Sequence, residues 1–402
     1  MNLCIILRNY KRKQMNNFSS AIEFSSAIEV SKFFLCLTFF SILISTALTN
    51  AFLILSLLFG IYYIIKNKDF SFIKDNRVIQ IPIILFLIFL LSLFYTIAEN
   101  SDAISSLKKY MKIIYIPIVY YIIKSEEMKE RCLKFFLFGC GIILFLSYAK
   151  FFNIIHPSLV AEYLDIGYQE KLIHGVTVFQ HSIIHGIVLS LFSYLLFLKF
   201  FKTNNYFFLL VSFLGFYNVI FLNNARVAYI ISIFLIFFGI YKYVKKLNFK
   251  IIASIIIFLA LFYGILNSQI ISHRISSAAN ELYSIQDNKY KGSVGLRSLW
   301  IKVGLDNISN RPFLGYGVGS FKKTVENYIG YMEDSSGLIY DNIITNNPHN
   351  EFVSISSQLG LIGLLFYIAL LIYLYIVSIR AELGFEIFII IFMSSLFNCL
   401  FY

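Results

Sequence analysis

Charge is scarce in this chain. Only 14% of its 402 residues are Asp, Glu, Lys or Arg, and 58% are hydrophobic. Soluble domains carry about 25% charged residues. A chain so poor in charge, with a mean hydropathy of +0.75, is neither a soluble globular fold nor a soluble domain with one anchor. Other absences narrow the chemistry. There is no Walker loop, no D-x-D pair to hold a metal–nucleotide complex and no G-x-S-x-G elbow, so nothing points to an ATP, nucleotide-sugar or serine-hydrolase site. The cysteines Cys4, Cys36, Cys132, Cys140 and Cys399 avoid the long polar stretches and form no C-x-x-C pair, which leaves no disulfide framework or zinc site to argue for. There is one tryptophan, Trp300. No internal repeat of the kind that builds transporters is visible.

What the chain does have is apolar runs in quick succession. They fall at about 33–48, 51–66, 78–97, 110–124, 132–153, 182–201, 206–223, 227–244, 249–266, 351–378 and 383–401. Runs of this length predict an all-α polytopic membrane protein with about 11–12 transmembrane helices and one large outward loop containing short surface helices. Pro82 and Pro117 are tolerated inside spans when neighbours satisfy the freed backbone groups. The net charge of +12 resides largely in short loops, where it sets orientation and meets anionic lipid headgroups; nucleic acid is not an expected partner. The pattern places the N-terminus in the cytoplasm and the 267–350 insert outside. Four parts follow: an N-terminal segment 1–32, a bundle 33–266, the insert 267–350 and C-terminal helices 351–402. A hexapeptide duplicated from Ser19 to Val30 fits no repeat fold.

Several polar residues sit where an apolar chain has little use for them. Arg226 precedes a span at its outer mouth and breaks the positive-inside pattern, which makes it a functional candidate. Arg297 and Arg311 lie in the insert, and guanidinium forks match phosphate oxygens two at a time. Apolar residues at 296, 299, 300, 303 and 308 predict a short helix on the membrane surface with Trp300 at headgroup level. Pro312, Gly315, Gly317 and Gly319 make a tight turn; its G-x-G-x-G is not a dinucleotide fingerprint, since no βαβ unit surrounds it. His349, in NNPHN, opens the last-but-one span, where the helix dipole would depress its pKa and leave a neutral base. His181 and His185 share one helical face, but two ligands without a third make a weak metal site. Lys108, Lys109 and Lys112 add positive potential at another outward mouth. His156 and His174 fall in a second long outward segment, 154–181.

An Arg near a helix start, a Trp three residues on, RPFLGYGVGSF, then NNPHNEFVSISSQLGLIG and, upstream, NNARVAYI resemble the O-antigen ligase and polymerase family of bacterial inner-membrane glycosyltransferases. About 100 residues carry the match. The resemblance implies a donor glycan on undecaprenyl diphosphate, a lipid A–core acceptor, a site facing the periplasm, and no metal, nucleotide or other cofactor. It implies that Arg226 and Arg297 neutralise the diphosphate and that His349 deprotonates the acceptor hydroxyl, with inversion. Arg311, Trp300, Gly315, Gly317, Gly319 and Asn350 would contact substrate. Members usually have twelve spans, and eleven are counted here. A polymerase or a protein O-oligosaccharyltransferase is the same-family alternative. A transporter is the alternative of another class, disfavoured because the polar groups gather at the mouths rather than the midplane.

Overall fold

The computed structural model describes residues 27–74, 76–155, 176–267, 269–286, 290, 292–336 and 344–400. Most of the duplicated hexapeptide, His156 and His174 lie outside them. Among the described residues there are helices and no strands. In chain order the longer ones are α1 over 27–41, α2 Thr46–Asn67, α3 Arg77–Leu91, α4 Asn100–Tyr110, α5 Lys112–Ile122, α6 Glu126–Phe151, α7 Ser182–Thr203 and α8 Tyr206–Tyr217. Then come α9 Arg226–Tyr243, α10 Leu247–Asn267, α11 Gln269–Gln286, α12 Gly292–Asn310, α13 Phe321–Ser336, α14 Glu351–Ile379 and α15 Gly384–Phe397. Six are long and apolar enough to cross a membrane, and three further apolar stretches, Ile79–Phe94, Tyr206–Leu222 and Gly384–Phe397, are shorter. The protein is an all-α polytopic membrane protein.

Three expectations change in detail. The first apolar run begins earlier, with α1 at residue 27, and breaks at 42–45. The last ends at Phe397, because Asn398 is extended (φ −156°, ψ 164°). The insert contains α11, α12 and α13, of 18, 19 and 16 residues, longer than the short helices expected.

The chain forms two compact units, residues 1–76 with 115–146 and residues 77–114 with 147–402. In the first, Leu35, Cys36, Ile122, Met128 and Cys132 make the buried cluster, and Ser31 donates to the Ser56 carbonyl at 2.7 Å. The second holds every residue of the candidate site. There α7, α8 and α9 approach closely through small residues, as helices in lipid do. Gly186 lies against Ala228, and Gly215 against Ser193. Ser190 and Ser232 share a hydrogen bond at 2.7 Å between α7 and α9. The turns after α7, α9 and α14 meet at one end, where Lys202 pairs with Glu382 at 2.5 Å and Lys242 with buried Glu386 at 2.8 Å.

The feature that organises this unit is a break in α14. Gly360 has φ 62° and ψ −159°, a region essentially restricted to glycine. Breaking a helix inside a membrane frees carbonyl and amide groups that lipid cannot satisfy. The glycine turn satisfies them. Tyr316 N–H donates to Ser357 O at 3.0 Å, Gly317 N–H to Gln358 O at 2.8 Å, and Leu361 N–H returns to Pro312 O at 2.7 Å. The turn's own groups are paired in turn: Val318 N–H donates to Ser92 Oγ at 3.0 Å, and Gly319 N–H to Gln358 Oε1 at 2.8 Å. A side chain at Gly315 would meet the Gln358 carbonyl, and one at Gly360 the Phe313 carbonyl. Beneath the turn, Phe89 stacks on Tyr110 at 3.8 Å, and Tyr110 joins Ser354 at 2.8 Å.

Gly360→Ala should therefore lower the thermal unfolding midpoint of the detergent-solubilised protein, the backbone strain alone costing about 1–3 kcal/mol. Gly330→Ala, in a helix with nothing within 4 Å of the added carbon, should leave it unchanged or raise it. Equal midpoints would show that the break does not hold the unit together.

Candidate functional site

The sequence NNPHN explains its own conformation. Asn347 Oδ1 accepts from His349 N–H at 2.8 Å, an Asx turn of the kind that competes with helix. Asn350 caps α14, its Oδ1 accepting from Val353 N–H at 3.0 Å, and its Nδ2 donates to Leu396 O at 3.0 Å. Between them His349 has φ 54°, left-handed backbone that a histidine adopts only where its surroundings enforce it. Asn350 is thus engaged as a cap. His349 stands before the N-cap, not in the first turn of the helix as the sequence implied.

The imidazole is held on two sides. The Trp300 ring lies 5.5 Å away at 27°. Trp300 is buried with Leu299, Val303, Phe321 and Val325 in the core between α12 and α13, so it packs against protein rather than lying open on the surface. The reason is that α12 packs against α14, with Gly304 against Val353, and turns its apolar face inward. On the other side His349 Nδ1 lies 3.2 Å from Asn398 Oδ1. That oxygen can only accept, so Nδ1 carries the proton and Nε2 keeps its lone pair. Burial depresses the His349 pKa below the ordinary histidine value, and the nearby Arg297 charge depresses it further, against the Asn398 hydrogen bond. The ring is neutral at neutral pH. The expected direction holds, but its causes are burial and a cation.

The cations come from two helices. Arg297 is half-buried on α12. Its pKa is lowered by burial and then by the charge of Arg226, so the two guanidiniums feel each other. Arg226 is the first residue of α9. The loop before it is fixed: Asn223 Nδ2 donates to Ser182 O at 2.9 Å, and the Tyr229 hydroxyl donates to Asn223 O. Two like charges in mutual range beside a helix N-terminus are the arrangement that favours an anion.

Other candidates lie elsewhere. Arg311 is exposed over the Tyr316 ring at 4.6 Å, about 20 Å further along the α12 axis than Arg297 at 1.5 Å per residue. Gly315, Gly317 and Gly319 face protein backbone, at Gln358, Thr96 and Ala103 respectively; they serve the turn as scaffold. His181 and His185 do not converge on a shared ligand. His185 is buried with Nε2 3.2 Å from Asn218 Oδ1, while His181 Nδ1 accepts from Ile183 N–H. Lys112 lies within the field of Glu351. One residue and one relation escaped the sequence reading. Asn398 was absorbed into the last apolar run, although a lone Asn between Phe397 and Cys399 was a visible signal. The proximity of His181 to His349 had no signal, because it depends on how separate helices pack.

Fold and site together define a polytopic membrane protein with a neutral histidine beside a pair of arginines, at the end of the bundle away from the basic turns. The comparison with known families points in one direction: residues 207–368 match the model for O-antigen ligase. The segment includes Arg226, Arg297, Trp300, the glycine turn and His349; His181 and Asn398 fall outside it. No curated protein matches the chain.

The reactivity of His349 with diethyl pyrocarbonate, which modifies the neutral imidazole, should reach half its maximum below pH 6.5. In Arg297→Gln the half-point should move to higher pH, because a neighbouring positive charge is gone. Peptide mass spectrometry across a pH series reads both, and an unmoved half-point would remove Arg297 from the vicinity of the ring.

Proposed function

We propose that this protein is an O-antigen ligase. It moves a glycan from undecaprenyl diphosphate to a hydroxyl of a lipid A–core acceptor, at the periplasmic face of the bacterial inner membrane. The observation that carries the reading is the contact of His349 Nδ1 with Asn398 Oδ1 at 3.2 Å: a proton donated there leaves the basic Nε2 for the acceptor hydroxyl, within the field of Arg297. The clustering of basic turns at the other end of the unit supports the orientation, since basic loops stay in the cytoplasm.

The chemistry balances with these groups alone. His349 Nε2 takes the proton of the acceptor hydroxyl as its oxygen attacks the anomeric carbon of the donor sugar. The bond from that carbon to the diphosphate oxygen breaks, and undecaprenyl diphosphate leaves with one more negative charge. Attack opposite the leaving group inverts the anomeric centre. Arg226 and Arg297 meet the charge as it develops, which is where fixed cations lower a barrier most. A diphosphate is already a good leaving group, so this route calls for neither nucleotide nor metal.

In a strain lacking the gene, lipopolysaccharide on a gel should show bare core, with lipid-linked polymer accumulating. Core carrying single repeat units would instead assign the protein as a polymerase, and an unchanged profile would overturn both. Complementation with His349→Ala should fail, with transfer down by about 10²–10⁴-fold and the protein still inserted. Retained transfer would refute the base.

A further inference from the structure

His181 is a conspicuous residue that the proposed reaction leaves unused. It is exposed, while the next turn of its helix, His185 and Gly186, is buried. The backbone that carries it is fixed from both directions. On the N-terminal side, Ser147 Oγ donates to Val176 O at 2.6 Å and Lys150 Nζ to Thr177 O at 2.8 Å. Lys150 is only 9% exposed; a cation so far from water is expensive, and here its ammonium holds the approach to His181. On the C-terminal side, Asn223 Nδ2 holds Ser182 O at 2.9 Å, and Gly186 lets α7 close on Ala225 and Ala228. The residues that grip α7 are thus those that flank Arg226. His181 stands at the start of α7 and Arg226 at the start of α9, two helices tied at that end by the Asn223–Ser182 hydrogen bond.

The tautomer of His181 is also set. It caps its own helix, Nδ1 accepting from Ile183 N–H at 3.4 Å. With Nδ1 holding a lone pair, the neutral ring carries its proton on Nε2. This is the opposite of His349, whose Nδ1 is the donor. Two histidines at one site therefore present opposite faces: one offers a lone pair and the other an N–H. Phosphate oxygens only accept, so the N–H of His181 suits the anion and not the acceptor hydroxyl's proton.

We propose that His181 is a third binding group for the donor's diphosphate, its Nε2–H donating to a phosphate oxygen alongside the Arg226 and Arg297 guanidiniums. This rests on the ligase reading above, and it adds a binding residue outside the family-matched segment. The field of His181 at His349 agrees with its placement. Three donors from three helices also discriminate. A monophosphate offers fewer oxygens than the set can engage, whereas a diphosphate can span all three.

The test measures binding of undecaprenyl diphosphate and undecaprenyl monophosphate to the full-length protein in detergent. Asn is a strong N-cap, so His181→Asn keeps the helix start and removes the reaching N–H. It should weaken diphosphate binding about tenfold, change monophosphate binding little, and leave thermal stability intact. His181→Gln, whose amide reaches about as far as Nε2, should recover much of the diphosphate affinity. Unchanged diphosphate affinity in His181→Asn would overturn the proposal. So would a loss that Gln fails to recover and that follows a drop in thermal stability, since His181 would then be a cap and nothing more. A wild-type protein that binds neither lipid would overturn the ligase reading itself, and this inference with it.

Discussion

The break at Gly360 and the turn that fills it are the constraint on which the rest of the second unit depends. A helix interrupted inside lipid leaves amides and carbonyls without partners, and each unpaired group there costs several kcal/mol. Pro312 to Gly319 supplies those partners, and it also ties in the end of α3 through Ser92. Gln358 is the hub: its carbonyl takes Gly317 N–H, its side-chain oxygen takes Gly319 N–H, and its amide reaches the Tyr110 hydroxyl at 3.1 Å. Fixing the turn fixes the end of α12 on one side and the start of α13 on the other. Trp300 and Arg297 ride on α12, so their placement against His349 follows from a backbone event some ten residues into the neighbouring span.

His349, the proposed base, is held in the same spirit. Its backbone is left-handed, a cost that the Asx turn at Asn347 and the cap at Asn350 offset. Its ring is fixed by Trp300 and Asn398. The tail after α15 is stitched to the same place a third time, where Leu400 N–H donates to the Glu351 carboxylate. Elements distant in sequence therefore converge on five residues, and little rearrangement is needed when substrate arrives.

Sequence made the fold legible where composition alone decides. Every apolar run contains helix, since nothing else of that hydropathy satisfies its backbone in lipid. Arg226, Arg297 and His349 were legible for the same reason: charged or titratable groups at the edge of an apolar chain are expensive to keep. What stayed hidden depends on packing. Trp300 read as an interfacial aromatic because its helix looked amphipathic; only the docking of α12 on α14 buries it. Arg311 read as a partner of Arg297, yet the length of α12 carries it away. The glycines read as a cradle for substrate, and their faces proved to be filled by backbone. Asn398 shows the limit plainly, for an orienting group can come from any element that happens to pass.

The mutual range of Arg226 and Arg297 has a consequence for turnover. Two like charges in mutual range repel, and an anion bound between them would relieve that repulsion. On the proposed reaction the departing lipid carries more negative charge than the donor did, and the cations grip it harder than they gripped the substrate. The step that such a site makes difficult is letting go. The protein would then turn over only as fast as its used carrier escapes sideways into the bilayer, and an abundance of spent carrier in the membrane would act as its brake.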